Sequence, residues 1–259
     1  MAPSLRIGIC TAPERVPLVS GVYDYVELTV ASLAPLEEDE AFAPRLKMLQ
    51  ELPVPIRALN VFIPREIKLV GEAVDRALVE RYVKSAIRRA GALGVECIVF
   101  GSGGARAVPE GFPRERAWEQ LVEFLRLCAG FAQEYGIILA IEPLNKGECN
   151  ILNTYLEGVQ LAREVALPQQ VRVLADLYHF MQDGEPLEDI AQAPEWLCHV
   201  HVADSDRRHP GTGTYPLREL FALLRQIGYQ GKVSVECRWG EDFAQEAREA
   251  AAFLRSLAS

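Results

Sequence analysis

The sequence predicts an α/β protein of the (β/α)8 barrel class, a single domain across residues 1–259. Three observations lead there. Eight short apolar runs alternate with helix-permissive segments along the whole chain. No linker or low-complexity tract divides them. Four consecutive runs, the fifth to the eighth, carry a carboxylate or an imidazole at or near their ends, and the strand ends of a parallel barrel converge on one face. A doubly wound sheet alternates the same elements, but the strand count and the length of 259 residues favour closure.

LRIGIC (5–10) reads as the first strand and TAPERVPLVSG as a loop. YDYVELTV, ending at Val30, is the second strand. It holds Glu27, and a buried carboxylate needs a partner, so Glu27 is either structural or lines the site. Residues 37–50 permit a helix, weakened by Pro44. Residues 56–63 form the third strand, with Asn60 inside and Pro64 ending it. Residues 72–92 are helical, because Val74, Leu78, Tyr82 and Ile87 recur near helical spacing. VECIVF, the fourth strand, runs into GSGGARAVPEGFPR. Residues 114–135 form a long amphipathic helix stopped by Gly136. IILAIE is the fifth strand. Asn153 or Thr154 caps the helix after it, and Pro168 closes that helix. VRVLAD is the sixth strand, residues 187–193 a short helix, and LCHVHVAD the seventh strand. Residues 216–228 form a helix with Pro216 at its start and Gly228 at its end. KVSVEC is the eighth strand and residues 243–257 the last helix.

Composition narrows the function. Hydrophobic residues make up 49% of the chain, enough for a sizeable core. A net charge of −9 lacks the basic footprint of a nucleic-acid surface. It leaves room for an anionic substrate held by a local arginine. None of the six cysteines forms a CxxC pair. Cys10, Cys97, Cys198 and Cys237 fall in apolar runs and read as small buried hydrophobes in a reducing compartment. The opening MAPSLRIGIC has no basic segment followed by a long apolar run, and no stretch reaches membrane-spanning length, so a cytoplasmic protein is expected.

The fifth strand ends at Glu142 and the sixth at Asp176; the seventh carries His201 and the eighth Glu236. Any one of these has an ordinary reading as a helix cap or a hydrogen-bonded core group. Together on consecutive strands they read as one site. Three carboxylates packed together repel, and their burial costs desolvation, unless a cation sits among them. Three carboxylates and an imidazole suit Mn²⁺, Mg²⁺ or Co²⁺ in octahedral coordination, with Zn²⁺ as a further candidate. Glu142 and Glu236 lie three strands apart, so they could face a bound sugar from opposite sides. One would take a proton and the other give one, with a metal between them stabilising the enolate charge.

IEPLNKGECNILNT, LADLYHF, HVHVADSDRRHPGTG and VSVECRW resemble the sugar isomerase/epimerase superfamily with the xylose isomerase-like TIM barrel. Within it they resemble the ketose 3-epimerases of the D-tagatose and D-psicose (allulose) group. The resemblance is strongest from residue 101 to 239. It implies one divalent metal ion, Mn²⁺ foremost, on Glu142, Asp176, His201 and Glu236, with the two glutamates as the acid/base pair. It implies that Glu148, His179 and Arg207 hold sugar hydroxyls near the carbonyl. The implied activity is epimerisation of a ketose at C3 through a cis-enediolate. The same superfamily includes aldose-ketose isomerases such as hydroxypyruvate isomerase, and dehydratases, and a non-catalytic sugar-binding barrel is the alternative outside enzymes. The expected partner is a small-molecule sugar, with nucleic acid and membrane excluded by charge and hydropathy, and a homo-oligomer (dimer or tetramer) is left open.

Other features carry less. GSGGAR (101–106) could cradle a phosphate with Arg106, but it lacks the GK[ST] of a P-loop, and a tight active-face loop is the preferred reading. His199 shares a strand face with His201 and is expected to hydrogen-bond a ligand from the layer behind. Arg208 and His209 read as solvated loop residues, Glu38, Asp39 and Glu40 as a solvated run, and Trp118 and Trp239 as either packing or sugar-stacking residues.

Overall fold

The eight strands hydrogen-bond in sequence order and the last pairs with the first, all parallel, which closes the barrel. The computed structural model describes residues 5–258, so the first four residues of the opening segment lie outside the described residues. The strands are β1 (Arg6–Cys10), β2 (Tyr25–Thr29), β3 (Ile56–Asn60), β4 (Cys97–Phe100), β5 (Ile138–Ile141), β6 (Val171–Asp176), β7 (Leu197–Val202) and β8 (Lys232–Val235). Closure rests on the β1–β8 ladder, where Arg6 to Ile9 face Lys232 to Val235. An open doubly wound sheet would leave both of those edges unpaired.

The helices are α1 (Asp39–Gln50), α2 (Arg76–Ala92), α3 (Gly103–Arg106), α4 (Arg114–Tyr135), α5 (Tyr155–Val165), α6 (Leu177–Asp183), α7 (Glu188–Gln192), α8 (Leu217–Gln226) and α9 (Phe243–Ala258). Their ends follow local chemistry. Asp75 caps α2 by accepting from the Leu78 amide, and Thr154, not Asn153, caps α5 by accepting from Glu157. Gly136 ends α4 in the left-handed conformation. Pro44 lies inside α1 and the helix persists around it.

Several boundaries differ from the sequence reading. The loop 11–21 contains a 3₁₀ helix, Pro13–Val19. β3 stops at Asn60, because Val61 turns to φ +48° and leaves the ladder. α2 starts at Arg76, four residues later than its apolar spacing suggests. α5 ends at Val165 with Ala166 left-handed, ahead of Pro168. α6 was not visible as a helix in LYHFMQD, because seven residues are too short for a periodic signal.

Inside the barrel, Tyr25, Ala58, Cys97, Val99, Ala140 and Leu174 form the buried layer beneath the site. Small residues make room for the Tyr25 ring. A Cβ on Gly8 would stand 2.2 Å from that ring. The helices pack their apolar stripes on the outside of the strands, and each fully buried Leu, Ile or Phe contributes about 1.5–3 kcal/mol. All six cysteines are free; Cys97, Cys128 and Cys149 are buried, while Cys10, Cys198 and Cys237 are only half-buried, contrary to the reading of all strand cysteines as core. Among the described residues no helix is long and apolar enough to cross a membrane.

Candidate active site

The C-terminal strand ends bring four predicted ligands together. Glu142 follows β5 and extends the ladder through its amide to the Phe100 carbonyl. Asp176 ends β6 and faces His201 of β7 in register. Glu236 follows β8, held by its amide to the Val202 carbonyl. One ligand atom from each of Glu142, Asp176, His201 and Glu236 lies within 4.8 Å of the others. His201 Nδ1 stands 3.3 Å from Glu142 Oε1 and 3.7 Å from Glu236 Oε2.

Three atoms of this cluster, Glu142 Oε1, Asp176 Oδ2 and His201 Nδ1, are buried without a hydrogen-bond partner. Orphaned buried polar atoms are costly, and three that converge on one point fit a cation. The donor set, three carboxylates and an imidazole, fits a divalent ion.

Charge at the site is uneven. Burial pushes the Asp176 carboxyl up to about 6, with Glu236 and Glu142 adding to the shift and His179 opposing it. Burial also works against the Glu236 carboxylate, yet His201 and Arg207 outweigh it and bring its pKa to about 2. Burial disfavours a charged His201, but Glu27 and Glu236 prevail and raise its pKa well above the usual histidine value.

The other predicted residues join the same cleft. Arg207 Nη2 donates to Glu236 Oε2 at 2.9 Å, and its Nη1 reaches Glu148 Oε1 at 3.4 Å. The guanidinium sits 4.5 Å above the Tyr178 ring. Asp206 and Arg207 both adopt positive φ, +59° and +56°, to aim that side chain inward. His179 Nδ1 faces two donors, the Asn145 amide at 3.3 Å and Asn145 Nδ2 at 2.8 Å. Nδ1 therefore accepts, and the proton sits on Nε2, 3.6 Å from Asp176 Oδ2. Asn145 Nδ2 also donates to Glu148 Oε1 at 3.1 Å.

Sequence reasoning passed over several of these groups. Asn60 Nδ2 donates to Glu236 Oε1 at 3.1 Å, and its own Oδ1 is buried without a partner. An amide inside an apolar strand was the available signal. Asn145 sits in a loop and gave none. Gly101 is needed because a Cβ there would come within 2.0 Å of Glu142 Oε2.

Other motifs settle as framework. Arg106 is fully buried and donates to the carbonyls of Phe100 and Glu142, both at 2.8 Å, so GSGGAR is a tight loop locked from beneath and not a phosphate cradle. His199 hydrogen-bonds Glu27 at 2.8 Å and no predicted ligand, so it stands one step further back than expected. Trp239 stacks on His209, and Trp118 donates to Glu164 between α4 and α5. Arg208 is exposed, as its loop position suggests.

The model of the family described as "Xylose isomerase-like TIM barrel" matches residues 20–257. The chain belongs to this family. Among relatives in the family's reach, D-psicose 3-epimerase of Agrobacterium fabrum is 39% identical over 116 residues, 44% of this chain and 40% of that protein. The 3-dehydro-D-guloside 4-epimerase of Escherichia coli is 34% identical over 134 residues, 51% of each chain. A putative hydroxypyruvate isomerase of Streptomyces coelicolor is 34% identical over 128 residues, 47% of this chain and 46% of that one. Each match spans about half or less of the relative's own length. The crystal structure of D-psicose 3-epimerase with D-tagatose from Clostridium cellulolyticum H10 superposes with a TM-score of 0.84, covering 98% of this chain and 100% of that one at 22% identity, which shows the fold.

Proposed function

We propose that this family member is a metal-dependent ketose 3-epimerase acting on a free sugar. The observation that carries the reading is the cluster of Glu142, Asp176, His201 and Glu236 with three orphaned atoms turned to one centre. Those four side chains would hold one divalent ion, Mn²⁺ for preference, since carboxylate and imidazole donors suit it. The bound ion supplies electrostatic stabilisation of the negative charge that develops on the substrate oxygens.

The protein side chains do the rest. One glutamate removes the C3 proton from its face of the sugar, and the planar cis-enediolate receives a proton on the other face from the second. Which of Glu142 and Glu236 acts first depends on the starting epimer. Arg207, His179 and Glu148 line the same cleft and hold hydroxyls near the carbonyl. Val61, Ile63 and Leu144 give the cleft apolar wall. Arg106 is buried and committed to backbone carbonyls, which supports an unphosphorylated substrate. Six free cysteines support a reducing, cytoplasmic location.

The similarity to a putative hydroxypyruvate isomerase keeps aldose-ketose isomerisation as the second reading. NMR of a ketose panel in D₂O, with Mn²⁺ or Co²⁺ added, separates the readings. Deuterium at C3 with a new ketose epimer is the expected result. An aldose product would support the isomerase, loss of water a dehydratase, and binding without turnover a sugar-binding barrel. In parallel, calorimetric metal titration should show one site that His201→Ala weakens strongly; unchanged affinity in a folded variant overturns the ligand assignment.

A further inference from the structure

Beneath the metal cluster lies a closed polar network that the proposed reaction does not use. Glu27 is fully buried in β2, where the β2–β3 ladder slips one residue between Val26 and Glu27. Such an irregularity re-aims a side chain, and here the carboxylate meets three partners. His201 Nε2 lies 3.0 Å from Oε1, His199 Nε2 lies 2.8 Å from Oε2, and Ser234 Oγ lies 2.6 Å from Oε2. Tyr25 Oη reaches Ser234 Oγ at 2.8 Å.

The contacts of this network place a proton on each Nε2. Three groups able to donate surround the Glu27 carboxylate, Ser234 Oγ and His199 Nε2 at Oε2 and His201 Nε2 at Oε1. An ionised carboxylate only accepts, so each of its partners must donate. Ser234 spends its proton on Glu27 and accepts from Tyr25. Both histidines carry a proton on Nε2. Once a cation displaces any proton from Nδ1, an imidazole that keeps its proton on Nε2 offers the Nδ1 lone pair. In agreement, Nδ1 of His199 and Nδ1 of His201 are both buried without a hydrogen-bond partner. The His201 lone pair points at Glu142 and Glu236.

We infer that Glu27 is a positioning residue that fixes the Nε2–H tautomer of His201 and so presents its Nδ1 lone pair to the metal. The inference rests on the reading of His201 as a ligand and adds a residue outside the predicted site. A carboxylate behind a metal-bound imidazole orients the ring and raises its basicity, and its loss typically costs 10–100-fold in metal affinity.

An isosteric amide tests this. In Glu27→Gln, keeping the oxygen toward His199 and Ser234 preserves two donors and turns the NH₂ toward His201 Nε2. That nitrogen must then accept, and the His201 proton moves to Nδ1. The opposite amide orientation would disrupt two partners to keep one. The expected result is a Mn²⁺ affinity about 10–100-fold weaker by calorimetry, with Glu27→Asp, which keeps two acceptor oxygens, recovering part of it.

Nitrogen-15 NMR of histidine-labelled protein supplies the readout that mere destabilisation would not move. In Zn²⁺-loaded wild type, His201 should carry its proton on Nε2 and show a metal-shifted Nδ1. In metal-free Glu27→Gln the proton should sit on Nδ1. If that variant does not fold, the wild-type spectrum alone decides. Wild-type affinity in folded Glu27→Gln, or an unprotonated Nε2 in the Zn²⁺-loaded wild type, overturns this inference alone. A wild-type chain that takes up neither ion overturns the metal reading and this inference with it.

Discussion

Arg207 and Glu236 are joined by a 2.9 Å hydrogen bond, and the same guanidinium extends to Glu148 at 3.4 Å. One planar group thus ties a proposed acid/base residue to a proposed substrate-binding residue. A lysine ammonium is a compact point charge and lacks the fork that spans both carboxylates. Arg207→Lys is expected to lower kcat/KM by about 10-fold and Arg207→Ala by more, the scale of one or two charge-assisted hydrogen bonds at about 1.5–3 kcal/mol each. Steady-state kinetics with the ketose that turns over best checks this. Equal activity of wild type and Arg207→Ala would remove Arg207 from the site.

Glu142 and Glu236 are proposed both to bind metal and to move protons, so alanine would confuse the two roles. Glutamine keeps the shape and one oxygen donor but cannot take the proton. Each Gln variant is expected to lose about 10²–10⁴-fold in turnover while calorimetry still detects metal. Deuterium incorporation at C3, measured from each epimer, tells which glutamate abstracts. The variant lacking the abstracting group stops exchange from that epimer, and the other still exchanges. Near-normal turnover in either metal-loaded variant would leave the two-glutamate mechanism unsupported.

Arg106 carries the same arithmetic into the core. It donates to the carbonyls of Phe100 and Glu142 from a fully buried position. Removing it leaves the Glu142 carbonyl without that donor and the Phe100 carbonyl with the Glu142 amide alone, beneath a proposed acid/base glutamate. Arg106→Ala is expected to destabilise the fold by about 3 kcal/mol or more, read as a lower urea midpoint. Wild-type kcat/KM for a ketose should be at least that for its phosphate. A large preference for the phosphate would reinstate the loop as an anion site.

The far end of the barrel sets an acid limit. Glu96 accepts from Arg6 at 2.7 and 3.0 Å and from Lys232 at 2.9 Å. Partial burial raises its pKa, but these hydrogen bonds dominate and bring it from 4.5 to about 2. A depressed carboxylate stabilises the fold fully above its unfolded pKa and loses that contribution as pH falls from about 4.5 through about 2. Thermal melts from pH 7 to pH 2 should show Glu96→Gln less stable than wild type at neutral pH. The two curves should converge at the acid end. Parallel curves across that range would assign the acid response elsewhere.

The eight strands were legible because each is a short apolar run, and burial on both faces writes that pattern into a parallel barrel directly. Asp176, His201 and Glu236 were legible for the complementary reason: a charge interrupts the run where the strand reaches the mouth. Asn145 was not, since it belongs to a loop with no periodicity, and its role depends on where His179 comes to rest. Glu27 was visible as an anomaly in β2, but its partners are 172 and more residues away in sequence. No local pattern encodes such a pairing. α6 escaped because its seven residues make only two turns, with Leu177 and Phe180 in the core and His179 turned to the cleft, too few for a periodic stripe.

The consecutive left-handed residues at 206 and 207 bear on how this protein responds to selection. Each non-glycine residue held there costs of order 1 kcal/mol or more. Glycine at 206 would relieve that cost, so a library screened only for heat resistance is expected to enrich Asp206→Gly. The same change would free the loop that aims Arg207. Variants chosen for endurance would then drift away from turnover, and a screen for this scaffold needs to score both properties in every round.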